Sequence, residues 1–206
     1  MNIVEAYIKF KGQMVILISG MSGSGITHLG KNISKDLNLS LISYRDYFKE
    51  DYDKKIKLPN DTEIINWDSD DIIDWDNFIQ AIKGKSHSGV VAYSQSFPTS
   101  KLDELVVDFH INIKLSKQNL LSRRKKYAEK HDEEFGSQET MILNNYTYPY
   151  YLQSVSNSKI TKFINANEFN NLSDDEYDEK IADESFNYLM NIIKKWIDNY
   201  HKTMIN

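Results

Sequence analysis

Residues 20–27 combine three glycines, hydroxyl side chains and a following helical pattern, which is typical of a loop that binds phosphate. Glycines allow a tight turn in which successive backbone N–H groups point at one anion. The positive end of a helix that begins at the same place adds to this attraction. The hydroxyl of Thr27 suits a magnesium ion that bridges phosphate groups. The residues predicted to bind a phosphorylated cofactor are Gly20, Ser22, Gly23, Ser24, Gly25, Ile26, Thr27 and His28.

The loop matches the pattern G-x-x-x-x-G-K-[ST] at every fixed position except one, because Ile26 stands where the pattern has lysine. That lysine normally places a full positive charge beside the outer phosphates, and loss of one such preorganised donor costs about 10²–10³ in rate. His28 and Lys31 are the nearest basic residues, but neither stands at the lysine position, and both also suit the surface of a helix. The motif therefore predicts a phosphate site and leaves its catalytic competence open.

Short apolar runs alternate with helical patterns along the chain, which predicts a parallel sheet covered by helices. The predicted strands are residues 14–19, 39–43, 90–93, 109–115 and 162–166. The predicted helices are residues 27–37, 71–83, 117–131, 138–155 and 179–201, and Pro149 is expected to kink or interrupt the fourth. The fold class predicted is α/β: a three-layer P-loop NTPase fold with a central, mainly parallel five-stranded sheet flanked by helices.

Three segments have weaker patterns. Residues 1–13 alternate loosely and are interpreted as an edge strand or a loose arm that precedes one domain of residues 14–206. Residues 49–60 are charged and contain a proline, so we expect a loop. The acidic residues 173–178 are expected to form a solvated connection before the last helix.

Residues 66–76 read Asn-Trp-Asp-Ser-Asp-Asp-Ile-Ile-Asp-Trp-Asp, which is the most specific motif after the loop. With the loop and the segments described next, this motif makes residues 14–165 similar to the uridine kinase and nicotinamide riboside kinase group of P-loop kinases. The resemblance implies that Trp67 stacks on a nucleobase and that Asp68 accepts hydrogen bonds from ribose hydroxyls. A core tryptophan beside an acidic helix start is the alternative, and Trp75 is expected to lie in the core.

Residues 42–49 resemble the kinase segment that carries two adjacent aspartates, of which the first is the catalytic base. Arg45 occupies that first position here, and Asp46 occupies the second. The resemblance implies Asp46 as a catalytic residue that takes the proton of the acceptor hydroxyl, provided that the loop is shifted by one residue. A charged surface loop is the alternative.

Residues 117–137 resemble the lid of these kinases, and Arg123 and Arg124 match two of its three cations. The resemblance implies that both arginines clamp phosphates as catalytic residues, whereas a basic helix face is the alternative. Residues 146–152 resemble the segment after the lid, which implies Tyr148 as part of the substrate pocket. The third strand departs from the family, because Tyr93 and Ser94 stand where its relatives end in Glu-Gly.

The resemblance implies transfer of the γ-phosphoryl group of ATP, with Mg²⁺, to the 5′-hydroxyl of a ribonucleoside of the uridine, cytidine or nicotinamide riboside type. An alternative is an impaired relative that binds a nucleotide or nucleoside without turnover, which the departures at Ile26, Arg45 and residues 93–94 favour. A third hypothesis, a protein that keeps only the fold, conflicts with the retained glycines and the retained Trp67–Asp68 pair.

Composition and charge limit the classes of protein to which the chain can belong. The net charge of −5 argues against a general nucleic-acid binder, and the absence of cysteine excludes disulfides and thiolate metal sites. The apolar run at residues 14–18 is too short to span a membrane, and no signal segment precedes it. We therefore expect a cytoplasmic protein that binds a small molecule and neither nucleic acid nor membrane, while its oligomeric state stays open.

Overall fold

The computed structural model describes residues 1–59, 61–102 and 104–205. The strands in chain order are β1 Val15–Ser19, β2 Ser40–Ser43, β3 Lys55–Lys57, β4 Glu63–Ile65, β5 Val90–Ser94, β6 Phe109–Lys114 and β7 Lys162–Asn165. The helices are α1 Ile3–Lys11, α2 Ile26–Leu37, α3 Trp75–Ser86, α4 Thr99–Leu102, α5 Lys117–Lys130, α6 Ser137–Ile142, α7 Tyr148–Ser156 and α8 Asp174–Ile205.

The central sheet has five strands in the order β2-β5-β1-β6-β7, and every neighbouring pair is parallel. Strand β1 lies in the middle, and all five of its residues are buried. Helices flank the sheet, which explains the continuous apolar runs in its inner strands. The predicted α/β class and the five-stranded parallel sheet are confirmed. Because parallel strands end at one edge, the segments that follow β1, β2 and β5 meet there.

Residues 1–13 do not form an edge strand or a loose arm, so that prediction is wrong. Helix α1 begins after Asn2, whose side chain accepts a hydrogen bond from the Glu5 backbone, while the Glu5 carboxylate accepts one from the Asn2 backbone, both at 2.9 Å. Tyr7 is buried, and its ring packs against the rings of Phe109 and Trp196. This tertiary packing stabilises a short helix whose loose alternation resembles a strand.

The acidic residues 173–178 are not a solvated connection, and that prediction is also wrong. Helix α8 begins at Asp174, and Ser173 caps it through reciprocal hydrogen bonds with Glu176. Tyr177, in the second turn, is fully buried. The acidic side chains therefore lie on the first turns of a helix, where they complement its positive end.

Two other predicted segments differ in detail. The expected loop at residues 49–60 contains β3, which pairs with β4 in an antiparallel hairpin, while Asn60 lies outside the described residues. The expected helix at residues 138–155 comprises α6, a π-helical turn at Leu143–Thr147, and α7. Pro149 lies in the first turn of α7, where its missing N–H is tolerated.

Candidate phosphate-binding site

The loop at residues 20–25 connects the buried strand β1 to the first turn of α2. Gly25 is the N-cap residue, and its φ of 94° lies in a region that residues with a Cβ atom disfavour. A Cβ on Gly20 would lie 2.6 Å from the Ser24 hydroxyl and 2.9 Å from Ile26 Cγ2. No side chain of the described residues caps α2, so the first N–H groups of the helix are available to an anion.

Three side chains from outside the loop fix its backbone carbonyl groups. Arg124 Nε donates to the Ser22 carbonyl at 2.9 Å, and Arg123 Nε donates to the Gly23 carbonyl at 3.1 Å. The Tyr177 hydroxyl donates to the next carbonyl, that of Ser24, at 3.1 Å. The three carbonyls are thus directed to α5 and α8. This arrangement holds the loop by its backbone and does not require a lysine at position 26.

A cavity of about 340 Å³ lies against the loop and the first turn of α2. The loop and helix residues on its wall are Ser22, Gly23, Gly25, Ile26, Thr27 and His28. The other wall residues are Arg45, Arg123, Tyr127, Lys130, His131, Asp174, Asp175 and Asp178. Backbone donors and cations suit a phosphate group, and the three carboxylates on the same cavity wall give the cavity mixed charge.

Most basic groups on this wall already face a carboxylate. His28 lies 3.3 Å from Asp178, whose pKa is raised because burial disfavours its charged form. The Arg123 guanidinium lies 3.7 Å from Asp174 and stacks 3.5 Å above the centre of the Tyr177 ring. Lys130 approaches Asp174 at 4.0 Å. These pairs reduce the positive charge that each group offers to a ligand.

Ile26 and Ser24 show how the lysine position is filled. The Ile26 side chain is buried, with 5% of its surface exposed, and it packs beside Gly20. The Ser24 hydroxyl is fully buried, and it has no hydrogen-bond partner among residues 1–59, 61–102 and 104–205. The loop interior therefore contains an apolar side chain where the motif has a cation, next to one unsatisfied polar atom.

The structure does not bring Asp46 to the loop cavity. Both Arg45 and Asp46 belong to the 3₁₀ turn Tyr44–Tyr47 that follows β2. Asp46 is exposed and borders a separate surface depression with Lys49 and Asp74. Arg45 lies on the wall of the loop cavity instead. Asp46 thus lies outside the loop cavity, and its role as the catalytic base stays a prediction.

Asp68 is held near the loop by polar side chains, and Trp67 beside it is exposed. The Asp68 carboxylate accepts hydrogen bonds from Gln95 at 3.1 Å and from the Thr147 hydroxyl at 2.6 Å. Burial lowers the pKa of the Arg124 guanidinium, and the nearby charge of Asp68 opposes this decrease. The Trp67 side chain keeps 57% of its surface exposed, as a ring that stacks on a ligand requires. Trp75 is buried, as expected.

Tyr148 does not line the small cavity beside Trp67 and Asp68. Its hydroxyl donates to the Leu115 carbonyl at 3.3 Å, and its ring packs on the core. Thr147 and Tyr150 reach this region instead, because one π-helical turn changes which side chains face the sheet edge. The resemblance of residues 146–152 thus indicated the segment that reaches this region, but Thr147 rather than Tyr148 contacts Asp68.

Sequence reasoning missed Asp70, a buried carboxylate two residues after Asp68. It accepts hydrogen bonds from the hydroxyls of Ser96 and Ser154 at 3.1 and 3.3 Å, and its backbone N–H donates to the Tyr150 hydroxyl. Burial raises the pKa of Asp70 despite these bonds. Its partners come from distant segments, so no local pattern signals this network.

Similarity to solved structures supports the fold. The chain has 12% identity and a TM-score of 0.61 to a gluconokinase from Sinorhizobium meliloti 1021, over 91% of this chain and 98% of that one. It has 10% identity and a TM-score of 0.53 to a protein from Silicibacter sp. TM1040 described as a fructose transport system kinase, over 80% of this chain and 100% of that one. The fold is therefore that of P-loop kinases. At these identities the likeness concerns the fold alone.

Sequence comparison does not narrow this class further. No family model matches the chain, and no curated protein matches it.

Across the described residues, no helix combines the length and apolar character needed to cross a membrane. The same part of the chain contains no group of three His, Cys, Asp or Glu side chains arranged to hold a metal ion.

Proposed function

We propose that the protein is a nucleoside kinase-like phosphotransferase that transfers the γ-phosphoryl group of ATP to the 5′-hydroxyl of a ribonucleoside. The main support is the uncapped N-terminus of α2, which faces a cavity with Arg45 and Arg123 on its wall. Backbone N–H groups and guanidinium groups are the donors that bind phosphate most strongly.

The residues around the cavity fit a nucleotide with its metal. Loop N–H groups at residues 22, 23 and 25–28 would hold the phosphates, and the hydroxyl of Thr27 would supply one oxygen ligand to Mg²⁺. The buried Ser24 hydroxyl gives the loop one further unsatisfied donor. Phosphate oxygens and water would supply the remaining ligands of Mg²⁺, because the described residues contain no metal-binding cluster of their own.

The acceptor side of the proposed site is the segment Trp67–Asp68 with Gln95 and Thr147. Asp68 would accept a hydrogen bond from an acceptor hydroxyl, since its carboxylate is already oriented by two donors. This assignment replaces Asp46 as the group that handles the acceptor, because Asp46 faces elsewhere. Trp67 would stack on the nucleobase.

The second candidate is a protein that binds nucleotide without turnover. The burial of Ile26 favours it, because an apolar side chain occupies the place from which the motif lysine stabilises the transferred group. The two candidates share the phosphate site. They differ only in whether a positively charged side chain stabilises the outer phosphate during transfer.

Titration with Mg·ATP, followed by a phosphoryl-transfer assay over a panel of acceptors, tests both. The panel contains uridine, cytidine, nicotinamide riboside, gluconate and fructose, the last two because the similar structures carry those names. We expect Mg·ATP binding and transfer to a ribonucleoside in wild type, with Ile26→Lys raising the rate by about 10²-fold. Binding without transfer in wild type would favour the second candidate, and no Mg·ATP binding at millimolar concentration in either form would contradict both.

A further inference from the structure

We propose that Arg45 supplies the outer phosphates with the positive charge that the loop lacks at position 26. This inference rests on the proposed function and assigns the residue that makes the phosphate site work without its lysine. Arg45 stands where the resembling kinases have an acidic residue, so the charge at this position is reversed in this chain.

The position of Arg45 follows from the topology. Strand β2 is parallel to β5, and β5 is parallel to β1, so the residues after β1 and after β2 emerge at the same edge of the sheet. The 3₁₀ turn Tyr44–Tyr47 begins directly after β2 and places Arg45 on the cavity wall opposite the first turn of α2. Ile26 and Thr27 line the same cavity.

Arg45 differs in its partners from three of the other four basic groups of this wall; the fourth, His131, packs its ring against Tyr127. His28, Arg123 and Lys130 each lie within 4.0 Å of a carboxylate of α8. Within the described part of the chain, no carboxylate lies at ion-pair distance from Arg45, whose hydrogen bond and ring contact are both with Tyr44, and whose other electrostatic neighbours are Tyr93 and Tyr127. Its charge is therefore available to an anionic ligand.

The hydrogen bond from Arg45 Nε to the Tyr44 hydroxyl is long, at 3.4 Å, and among the described residues both terminal nitrogens of the guanidinium have no hydrogen-bond partner. Tyr44 itself is buried, so its position is fixed and it supports the arginine side chain. A planar guanidinium with two open nitrogens can bind a phosphate through two parallel hydrogen bonds. Lys31 does not line the cavity and has no comparable position.

Calorimetric titration of four variants against Mg·ATP and inorganic tripolyphosphate tests this role. Tripolyphosphate is the informative probe because it has no base or sugar. We expect Arg45→Ala to weaken the binding of both ligands by about 10–100-fold, since a hydrogen bond to a charged group is lost. Arg45→Lys should recover part of this loss. Adding Ile26→Lys to Arg45→Ala should recover tripolyphosphate affinity, because the motif cation returns.

Lys31→Ala is the matched control, since it removes one positive charge from α2 at a position that does not line the cavity. Its affinity should stay within about twofold of wild type, and circular dichroism should show that every variant folds. Arg45→Ala binding equal to wild type, or an equal loss in Lys31→Ala, would overturn the role of Arg45 and leave the proposed function standing. If wild type bound neither Mg·ATP nor tripolyphosphate, the proposed function and the role of Arg45 would both be overturned.

Discussion

The two sides of the candidate site are built from different kinds of contact. The phosphate side consists of residues 22–28 with α5 and the start of α8, and the hydrogen bonds that hold its loop are accepted by backbone carbonyl groups. The acceptor side consists of Trp67–Asp70 with Gln95 and Thr147, and its contacts end on carboxylates. One side is therefore defined by backbone shape and the other by side-chain chemistry.

This difference explains why the loop keeps its form with isoleucine at position 26. A loop whose carbonyl groups are fixed by two arginines and a tyrosine retains its geometry whatever side chain follows Gly25. On the acceptor side, a change at Asp68 removes the contact itself. Mutations on the phosphate side should therefore alter stability as well as binding, whereas mutations on the acceptor side should alter mainly ligand affinity.

Tyr177→Ala should have the largest effect on stability. The side chain is fully buried between α8 and the loop, so its removal leaves a cavity and frees the Ser24 carbonyl. We expect the free energy of unfolding to fall by about 3–5 kcal/mol. Urea denaturation followed by circular dichroism measures this change.

Tyr177→Phe is the matched control for the hydrogen bond. The ring remains beneath Arg123, and only the donor to the Ser24 carbonyl is lost, so we expect a loss of about 1–2 kcal/mol. If Tyr177→Ala cost no more than Tyr177→Phe, the packing of α8 on the loop would not stabilise the phosphate side.

The buried network behind the loop predicts a stability that depends on pH. His110 Nδ1 must donate to the Lys159 carbonyl at 2.9 Å, so its neutral Nε2 accepts from the Ser19 hydroxyl at 2.8 Å. Ser19 in turn accepts from the Asn112 amide at 2.9 Å. Burial lowers the pKa of His110 from 6.5 to about 4. A protonated ring would donate to Ser19 instead of accepting from it, so the Ser19 hydroxyl hydrogen would lose its acceptor.

The direction of the pH effect follows from proton binding. Between pH 6.5 and about 4 the unfolded chain binds a proton at His110 that the folded chain does not, so stability falls as the pH decreases through this interval. The contribution is complete above pH 6.5, and the total loss is roughly 3 kcal/mol. Urea midpoints measured from pH 7 to pH 4.5 should decline more steeply in wild type than in His110→Gln. Parallel curves would contradict a neutral buried His110.

The sequence predicted the elements whose signal is local. The apolar runs of β1, β5 and β6 and the glycines of the loop have patterns that any parallel sheet with such a turn imposes. Helix α1 and the start of α8 were missed because their stability depends on distant partners, namely Trp196 for α1 and the Ser24 carbonyl for α8. Tertiary contacts of this kind leave no periodic trace in a short segment.

The candidate site shows the same limit. Residue types located the turn after β2, but which of Arg45 and Asp46 faces the cavity depends on the backbone of a four-residue 3₁₀ turn. In the same way, residues 146–152 were located by resemblance, yet a π-helical turn brings Thr147 rather than Tyr148 to Asp68. A difference of one residue in register changes a functional assignment without changing the fold.

Trp67→Ala should give the smallest change in stability and a clear change on the acceptor side alone. The side chain is 57% exposed, so we expect the free energy of unfolding to stay within about 0.5 kcal/mol of wild type. Stacking of an aromatic ring on a base is worth about 1–3 kcal/mol, so affinity for a ribonucleoside should fall by at least about fivefold. Titration of wild type and variant with the preferred nucleoside measures this loss.

Phe163→Ala is the matched control, because Phe163 is another exposed aromatic residue, on the edge strand β7. It should leave nucleoside affinity unchanged, and Trp67→Ala should leave tripolyphosphate affinity unchanged. Unaltered nucleoside binding in Trp67→Ala would remove Trp67 from the site. A loss of tripolyphosphate binding in the same variant would contradict the separation of the two sides, since Asp68 and Arg124 would then transmit a change at Trp67 to the Ser22 carbonyl of the loop.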